Sequence, residues 1–205
     1  AVTGAAITLT GNITTANTAT NTVDLTGAVT LGANVTIDTD NAANDGNVTF
    51  TSTIDADNST TADRTLTITA GSATVNIDGS IGARGDNTGK LADLDITAAS
   101  IIIAGAVVRL DDEDDVAVRT STFTGSVRLA NDITIDTDSG VGTDNSLTFD
   151  GVTRLDGATT ITRGTGAVTF TGALNSLTTE ANTLTINGSG DITFTGAVGE
   201  IDALG

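Results

Sequence analysis

The chain of 205 residues contains no cysteine, methionine, histidine, proline, tryptophan, tyrosine or glutamine. Disulfides are therefore excluded, and neither an imidazole nor a thiolate is present for nucleophilic, acid–base or soft-metal chemistry. Aromatic residues make up 2% of the chain and all are phenylalanine, so a core must be built mainly from Val, Ile, Leu and Ala. These absences argue against an enzyme and favour a repetitive, extended architecture.

Basic side chains are also scarce, because Lys and Arg number 8 against 26 acidic residues and the net charge is -18. Binding of nucleic acid through a basic surface is therefore not expected. The longest apolar run, Ile101 to Leu110, is broken by Gly105 and Arg109 and falls far short of the roughly 20 residues of a membrane span. We expect no membrane insertion. The chain begins without the layout of a signal peptide, so we expect a mature or excised piece.

The dominant pattern is an apolar residue, one other residue, and a second apolar residue, which is typical of a strand with one buried face. Seventeen such pairs occur, from Ile7/Leu9 to Ile192/Phe194, and in ten of them the middle residue is Thr. Threonine is β-branched and favours strands. Clusters of Gly, Asn, Asp and Ser between the pairs predict turns, and no stretch shows helical periodicity. The pattern predicts an all-β fold.

The chain also repeats itself. Residues 26–40 closely match residues 124–138, and each copy continues through an Asx/Gly loop to Val48-Thr-Phe50 or Leu147-Thr-Phe149. We therefore divide the chain into two continuous repeat units, 1–98 and 99–205, which together read as one period of a longer tandem array. A shorter echo, residues 166–174 against 190–198, indicates a period of 24 residues.

Short strands with this period predict a right-handed parallel β-solenoid of roughly eight or nine coils, stacked about 4.8 Å apart. The absence of proline agrees, because proline would remove a hydrogen bond from a stacked strand. The alternative is a string of β-sandwich domains, whose strands also recur every 8 to 12 residues or so.

Three phrases carry a resemblance to a known group: Thr26-Gly-Ala-Val-Thr-Leu-Gly-Ala-Asn-Val-Thr-Ile37, Arg64-Thr-Leu-Thr-Ile-Thr-Ala-Gly71 and Val168-Thr-Phe-Thr-Gly-Ala-Leu174. They resemble the giant bacterial surface proteins with β-strand repeats, similar to the filamentous-haemagglutinin-like adhesins. The resemblance implies an extracellular, cell-surface location and a structural role as a fibre or adhesin stalk. It also implies self-association into filaments or continuation of the same long chain, and leaves room for a cell-surface or carbohydrate ligand.

Acidic loops are the best candidates for a site. Asp spaced by one residue on a loop can place alternate carboxylates on one side, as Ca²⁺ requires. The candidate calcium ligands are Asp38, Asp40, Asp45, Asp136, Asp138 and Asp144. They support an alternative function, a calcium-dependent surface-layer or ligand-binding (adhesin) module. The other interpretation is that Asp and Asn are ordinary turn formers whose charge keeps a β protein soluble.

The residues favour neither of two other types of site. Paired carboxylates could suggest a glycosidase, but four of the five Phe residues occupy inward positions of apolar pairs, so packing is expected for them instead of sugar stacking. Thr-x-Thr segments such as Thr169-Phe-Thr171 could form an ice-binding array. Because the repeats differ in length and in loop insertion, we expect threonine to serve here only as an outward-facing strand former.

Overall fold

The computed structural model of the chain describes residues 1–18, 21–84, 88–111, 118–138 and 144–205. Within these ranges the protein is all-β and contains no helix. Every strand ladder is parallel, and the chain winds as a β-solenoid of about 7 turns. The solenoid prediction is therefore confirmed, and the alternative of β-sandwich domains is wrong because sandwiches are built from antiparallel sheets.

Nineteen strands make up the described part of the solenoid. In chain order they are β1 (Val2–Leu9), β2 (Ile13–Thr14), β3 (Val23–Leu31), β4 (Val35–Asp38), β5 (Val48–Phe50), β6 (Ile54–Ala56), β7 (Thr65–Thr69), β8 (Thr74–Ile77), β9 (Asp93–Ile103), β10 (Val107–Arg109), β11 (Thr120–Ala130), β12 (Ile133–Asp136), β13 (Ser146–Asp150), β14 (Thr153–Asp156), β15 (Thr159–Thr162), β16 (Val168–Phe170), β17 (Leu174–Ser176), β18 (Leu184–Asn187) and β19 (Ile192–Phe194).

Each turn passes over three faces, which we name A, B and C in the order in which the chain passes through them. Face A stacks β2, β4, β7, the first half of β9, the first half of β11, β13, β16 and β19. Face B stacks the start of β1, the first half of β3, β5, β8, the second halves of β9 and β11, β14 and β17. Face C stacks the second halves of β1 and β3, β6, β10, β12, β15 and β18.

The register on face A joins residues that are 21 to 31 positions apart in the chain. Phe170 pairs with Phe194 and Leu174 with Val198, which confirms the 24-residue period indicated by residues 166–198. Most other coils are longer, because loops are inserted between their strands. The eight strands stacked on face A enclose about 7 full turns, close to the lower end of the eight or nine coils expected from the sequence.

The core is a set of apolar columns that run along the solenoid axis. One column on face A places Ile68, Ile96, Phe123, Phe149 and Phe170 above one another, and all five are buried. The rings of Phe149 and Phe170 are stacked, with centroids 4.7 Å apart and planes 7° apart. One hydrophobic cluster extends from Ile7 to Leu174, so the coils share a single core.

Differences in coil length are accommodated at the corners between faces. The corner between faces A and B is tight at Gly125 and Gly151, where φ is 134° and 147°. A side chain on either glycine would collide with the backbone of the coil below, so these corners require glycine. Corners between faces C and A carry longer segments, such as residues 57–64.

The two matching stretches, 26–40 and 124–138, lie on different faces. Val29 belongs to the stack of face C, whereas its counterpart Val127 belongs to that of face B. Ile37 lies on face A, and its counterpart Ile135 lies on face C. The sequence repeat is therefore displaced by one face relative to the coil. The division at residue 98 falls inside β9, and the two-unit organisation stays a prediction.

Candidate functional site

The first predicted calcium loop joins faces A and B and holds Asp38, Asp40 and Asp45. The Asp38 Oδ1 atom accepts a hydrogen bond from the backbone N–H of Asp40 at 3.0 Å, which is a local turn. The carboxylates of Asp40 and Asp45 both lie beside Gly71 of the next coil. The structure thus brings Asp40 and Asp45 together, while Asp38 bonds the backbone of its own loop.

The Asp45 carboxylate accepts hydrogen bonds from protein groups on both of its oxygen atoms. Its Oδ2 atom accepts hydrogen bonds from the Ser72 hydroxyl at 2.6 Å and the Ser72 N–H at 2.7 Å, and its Oδ1 atom accepts the Asn41 N–H at 2.9 Å. The bonds from Ser72 and then that from Asn41 lower the pKa of Asp45 from 3.8 to about 2. This carboxylate therefore links its loop to the coil above.

The second predicted calcium loop, with Asp136, Asp138 and Asp144, joins faces C and A. Asp136 Oδ1 accepts the Asp138 N–H at 3.2 Å, which repeats the turn seen at Asp38 and Asp40. Asp144 is buried, and its Oδ2 atom accepts the N–H and the hydroxyl of Thr165 from the next coil, at 2.5 and 2.9 Å. Asp45 and Asp144 thus make the same type of contact, one coil to the next, at different corners.

Among the described residues, no group of three or more acidic side chains is placed to hold a metal ion. The two predicted calcium loops occupy different corners, so their carboxylates do not converge. Of the acidic run 111–115, positions 112 to 115 lie outside the described residues. Calcium binding therefore stays a prediction.

Polar side chains, most of them at the corners and three of them within strands (Asp55, Asp95 and Asn175), bind the backbone of the neighbouring coil. In each case a side-chain oxygen accepts an N–H from the next coil, at distances between 2.5 and 3.2 Å. The acceptor and donor pairs are Asn12 with Thr36, Asn34 with Thr65, Asp45 with Ser72, Asn47 with Thr74, Asp55 with Arg84, Asp95 with Thr122, Asp132 with Ala158, Asp144 with Thr165 and Asn175 with Ile201. We call them the inter-coil bonds.

The inter-coil bonds were not predicted from the sequence, although a signal for them exists. Asn12, Asn34, Asn47 and Asp132 each stand directly before the first apolar residue of a strand. At that position the chain turns a corner, and the N–H of the next coil would otherwise lack a partner. An Asx residue just before an apolar pair is therefore the pattern that identifies such a bond in this chain.

The last coil exposes apolar side chains on its outer edge. Ile192, Phe194, Val198 and Ile201 are 42%, 43%, 47% and 73% exposed, respectively. Phe194 was predicted to be core; this is wrong, because no described coil lies over it, although it stacks on Phe170 with centroids 5.2 Å apart. Phe123 does not belong to any of the apolar pairs found in the sequence, yet its side chain is buried, as is that of Ser121 two residues earlier. The outer edge of this coil, with these four residues, is named the terminal apolar edge.

No cavity is found in the part of the chain that the structure describes. That part also contains no helix long and apolar enough to cross a membrane. The comparisons with known proteins found no matching family model, curated protein or solved structure. The resemblance to filamentous-haemagglutinin-like adhesins stays a prediction, and the candidate functional features are the surfaces described above.

Proposed function

We propose that the chain is a structural segment of an extracellular bacterial surface fibre or adhesin stalk. The observation that carries this proposal is the continuous stack: one core extends from Ile7 to Leu174, and parallel ladders on faces A and B run from the first described coil to the last. A solenoid of this kind gains stability coil by coil, since each coil contacts only its neighbours. Its contribution to a fibre is length and stiffness, and the proposal includes no catalytic activity.

Two types of bond resist bending and stretching along the axis. Backbone ladders join successive strands on all three faces, and on face C the bridges Ile54–Ile81 and Ile81–Val108 connect β6 to β10. The inter-coil bonds continue this linkage through the corners, where the ladders stop. A charge-assisted bond such as that of Asp45 to Ser72 is stronger than one between neutral groups. Neighbouring coils are therefore hydrogen-bonded to each other both on the faces and at the corners.

The terminal apolar edge needs a cover, because strands with open backbone groups and exposed apolar side chains pair readily with other strands. Among the described strands, β19 pairs only with β16, and β18 only with β15. At the other end of the described part, β1 pairs with β3 and β2 with β4 alone. We propose that either further coils of the same polypeptide or the first coil of a second copy covers this edge. Head-to-tail stacking of copies does not close on itself and produces a filament.

Charge favours contact at the ends over contact at the sides. The net charge of -18 is distributed over a long surface, so rods lying side by side repel one another. End-to-end contact juxtaposes far fewer charges. At 0.15 M salt the screening length is about 8 Å, so we expect end-to-end association to increase with ionic strength.

The extracellular location is supported by the resemblance of residues 26–37, 64–71 and 168–174 to the surface-protein repeats. A cell-surface or carbohydrate ligand stays a prediction. A surface-layer role that depends on calcium is not favoured by any arrangement of the described carboxylates.

The test uses the 205-residue chain, imaged by negative-stain electron microscopy and sedimented at increasing protein and salt concentration. We expect thin rods that lengthen without thickening. Phe194→Asp places a charge on the terminal apolar edge and should keep the protein monomeric. Val118→Asp is the matched control, because Val118 is a corner residue away from the ends and is 59% exposed; this variant should still form rods. Monomers under all conditions, or equal behaviour of the two variants, would contradict end-to-end association.

A further inference from the structure

We propose that the outer surface of face A binds ice. Two outward-facing columns run along this face, and we name them together the threonine array. The first column consists of Asn12, Thr36, Thr67, Asp95, Thr122, Thr148, Thr169 and Thr193. The second consists of Thr14, Asp38, Thr69, Thr97, Thr124, Asp150, Thr171 and Thr195. Twelve of these sixteen residues are threonine, and none is buried.

The array is regular, although the coils differ in length. Face A strands pair residue by residue, for example Thr67 with Asp95 and Thr148 with Thr169, and the register shift of β11 lies beyond Thr124. The sequence-based objection to an array was the variable loop length. That objection does not hold, because the extra residues lie at the corners and leave the register of face A intact.

Parallel pairing fixes the dimensions of the array. Neighbouring coils lie about 4.8 Å apart, and residues two apart on a strand lie about 6.6 Å apart. The side chains therefore form a rectangular lattice with these two repeats. Oxygen atoms on the prism faces of hexagonal ice repeat at similar distances in two perpendicular directions. A surface with this lattice can hold a layer of water molecules in positions that ice continues.

Aromatic rings support the array at its upper end. Phe149, Phe170 and Phe194 lie between the two columns and point to the inner side of the face, and their rings are stacked with plane angles of 7° and 9°. The rings of Phe123 and Phe149, one coil earlier, are tilted by 50°. Because an ice face is planar, the proposal requires the coils that carry Thr148, Thr169 and Thr193 to stack with little twist.

The chemistry of the array suits ordered water. Threonine offers a methyl group and a hydroxyl group, and its branched side chain has few rotamers to lose on binding. The side chains of Thr67, Thr148 and Thr169 are partly exposed, so their hydroxyls can reach water, whereas the Thr171 hydroxyl donates to Asp150 Oδ1 at 2.7 Å. Water bridging such hydroxyls is held almost as firmly as by direct bonds.

The other two faces carry shorter or interrupted arrays. The outward column of face B contains Ile102, Arg128 and Arg154. Face C has one column with Val107, Thr134, Thr160 and Thr185, and a second with Arg109, Asp136, Thr162 and Asn187. Long charged side chains hold water in their own hydration shells and break the planarity of the surface. On face A, three carboxylates interrupt the array, at Asp38, Asp95 and Asp150. The longest uninterrupted stretch is Thr122, Thr148, Thr169 and Thr193 in the first column.

The experiment measures thermal hysteresis and inhibition of ice recrystallisation by the 205-residue chain, with an acidic globular protein at equal concentration as the baseline. We expect activity above that baseline. Thr148→Lys and Thr169→Lys should remove most of it. Thr49→Lys is the matched control, since Thr49 faces outward from β5 on face B, pairs with Asp24 and Asn76 instead of threonine, and is half-buried like Thr169. Circular dichroism verifies that each variant remains folded.

A gain of activity provides an independent test. Asp95→Thr joins Thr67 to Thr122 in the first column and should increase hysteresis. Activity at the baseline for the wild-type chain, or equal loss in Thr148→Lys and Thr49→Lys, would overturn the proposal. So would sedimentation showing that the array is covered by a second copy, with Thr148→Lys converting a dimer to a monomer and no hysteresis in either form.

Discussion

Thr153 offers the sharpest test of how the solenoid is packed. Its side chain lies in an inward column of face B, between Val127 below and Leu174 above, and is 1% exposed. Its hydroxyl has no hydrogen-bond partner among the described residues. A buried, unsatisfied polar group costs about 1–3 kcal/mol. Thr153→Val replaces the hydroxyl with a methyl group of similar size and keeps the β-branch, so the cost should disappear without creating a cavity.

We expect Thr153→Val to raise the free energy of unfolding by about 2 kcal/mol. For a chain of this length, that corresponds to a rise in Tm of about 4–8 °C. The assay is thermal and denaturant unfolding followed by circular dichroism. Thr148→Val is the control: its hydroxyl faces solvent on face A, and a surface substitution of this kind should change stability by less than about 0.5 kcal/mol. The reasoning is refuted if Thr153→Val is neutral or destabilising, or if both variants shift equally.

Two further predictions concern pH. Burial raises the pKa of Asp95 above 3.8 in the folded protein. The free energy of unfolding therefore decreases as pH rises from about 3.8 through the raised pKa, because the buried carboxylate becomes charged. Asp95→Asn should increase Tm at pH 7 relative to wild type, and the gain should vanish below about pH 3.8; a constant gain would contradict this. Asp45, with a pKa of about 2, contributes stability above pH 3.8 that is lost as pH falls through 2. Asp45→Asn should therefore lower Tm at pH 7 and match wild type below pH 2 in the same melting series.

The fold was largely predictable because its main determinant is local. The alternation at Val48-Thr-Phe50 or Val168-Thr-Phe170 shows which side chains face the core, and the 24-residue echo provided a correct register for the last coils. Among the described residues, turn-forming clusters such as residues 41–47 marked the corners correctly. What the sequence could not supply was the length of each coil, since the loops between strands vary in length without changing the strands.

The candidate surfaces were harder to predict, for two physical reasons. Phe194 and the buried Phe170 lie in closely similar stretches of sequence. The exposure of Phe194 depends on whether another coil covers it, which these stretches do not show. Inward polar positions such as Ser121 and Thr153 break the apolar alternation, so apolar pairs do not reveal their strands. The regularity of the threonine array is also not visible in the sequence. The residues that stack on face A are 21 to 31 positions apart in the chain, and this separation differs from coil to coil.

The displacement of the sequence repeat by one face determines how a change in length would alter this chain. Recombination between residues 26–40 and 124–138 would delete 98 residues and place a strand of face B, with the rest of the chain behind it, at a position on face C. Every later strand would then move to the next face in the cycle, carrying its inward apolar pair with it. Because each face presents the same kind of apolar column to the core, the shortened chain could still coil, while its outer surfaces would be exchanged among the three sides. Unequal crossing-over in this protein would thus alter length and surface pattern in a single event.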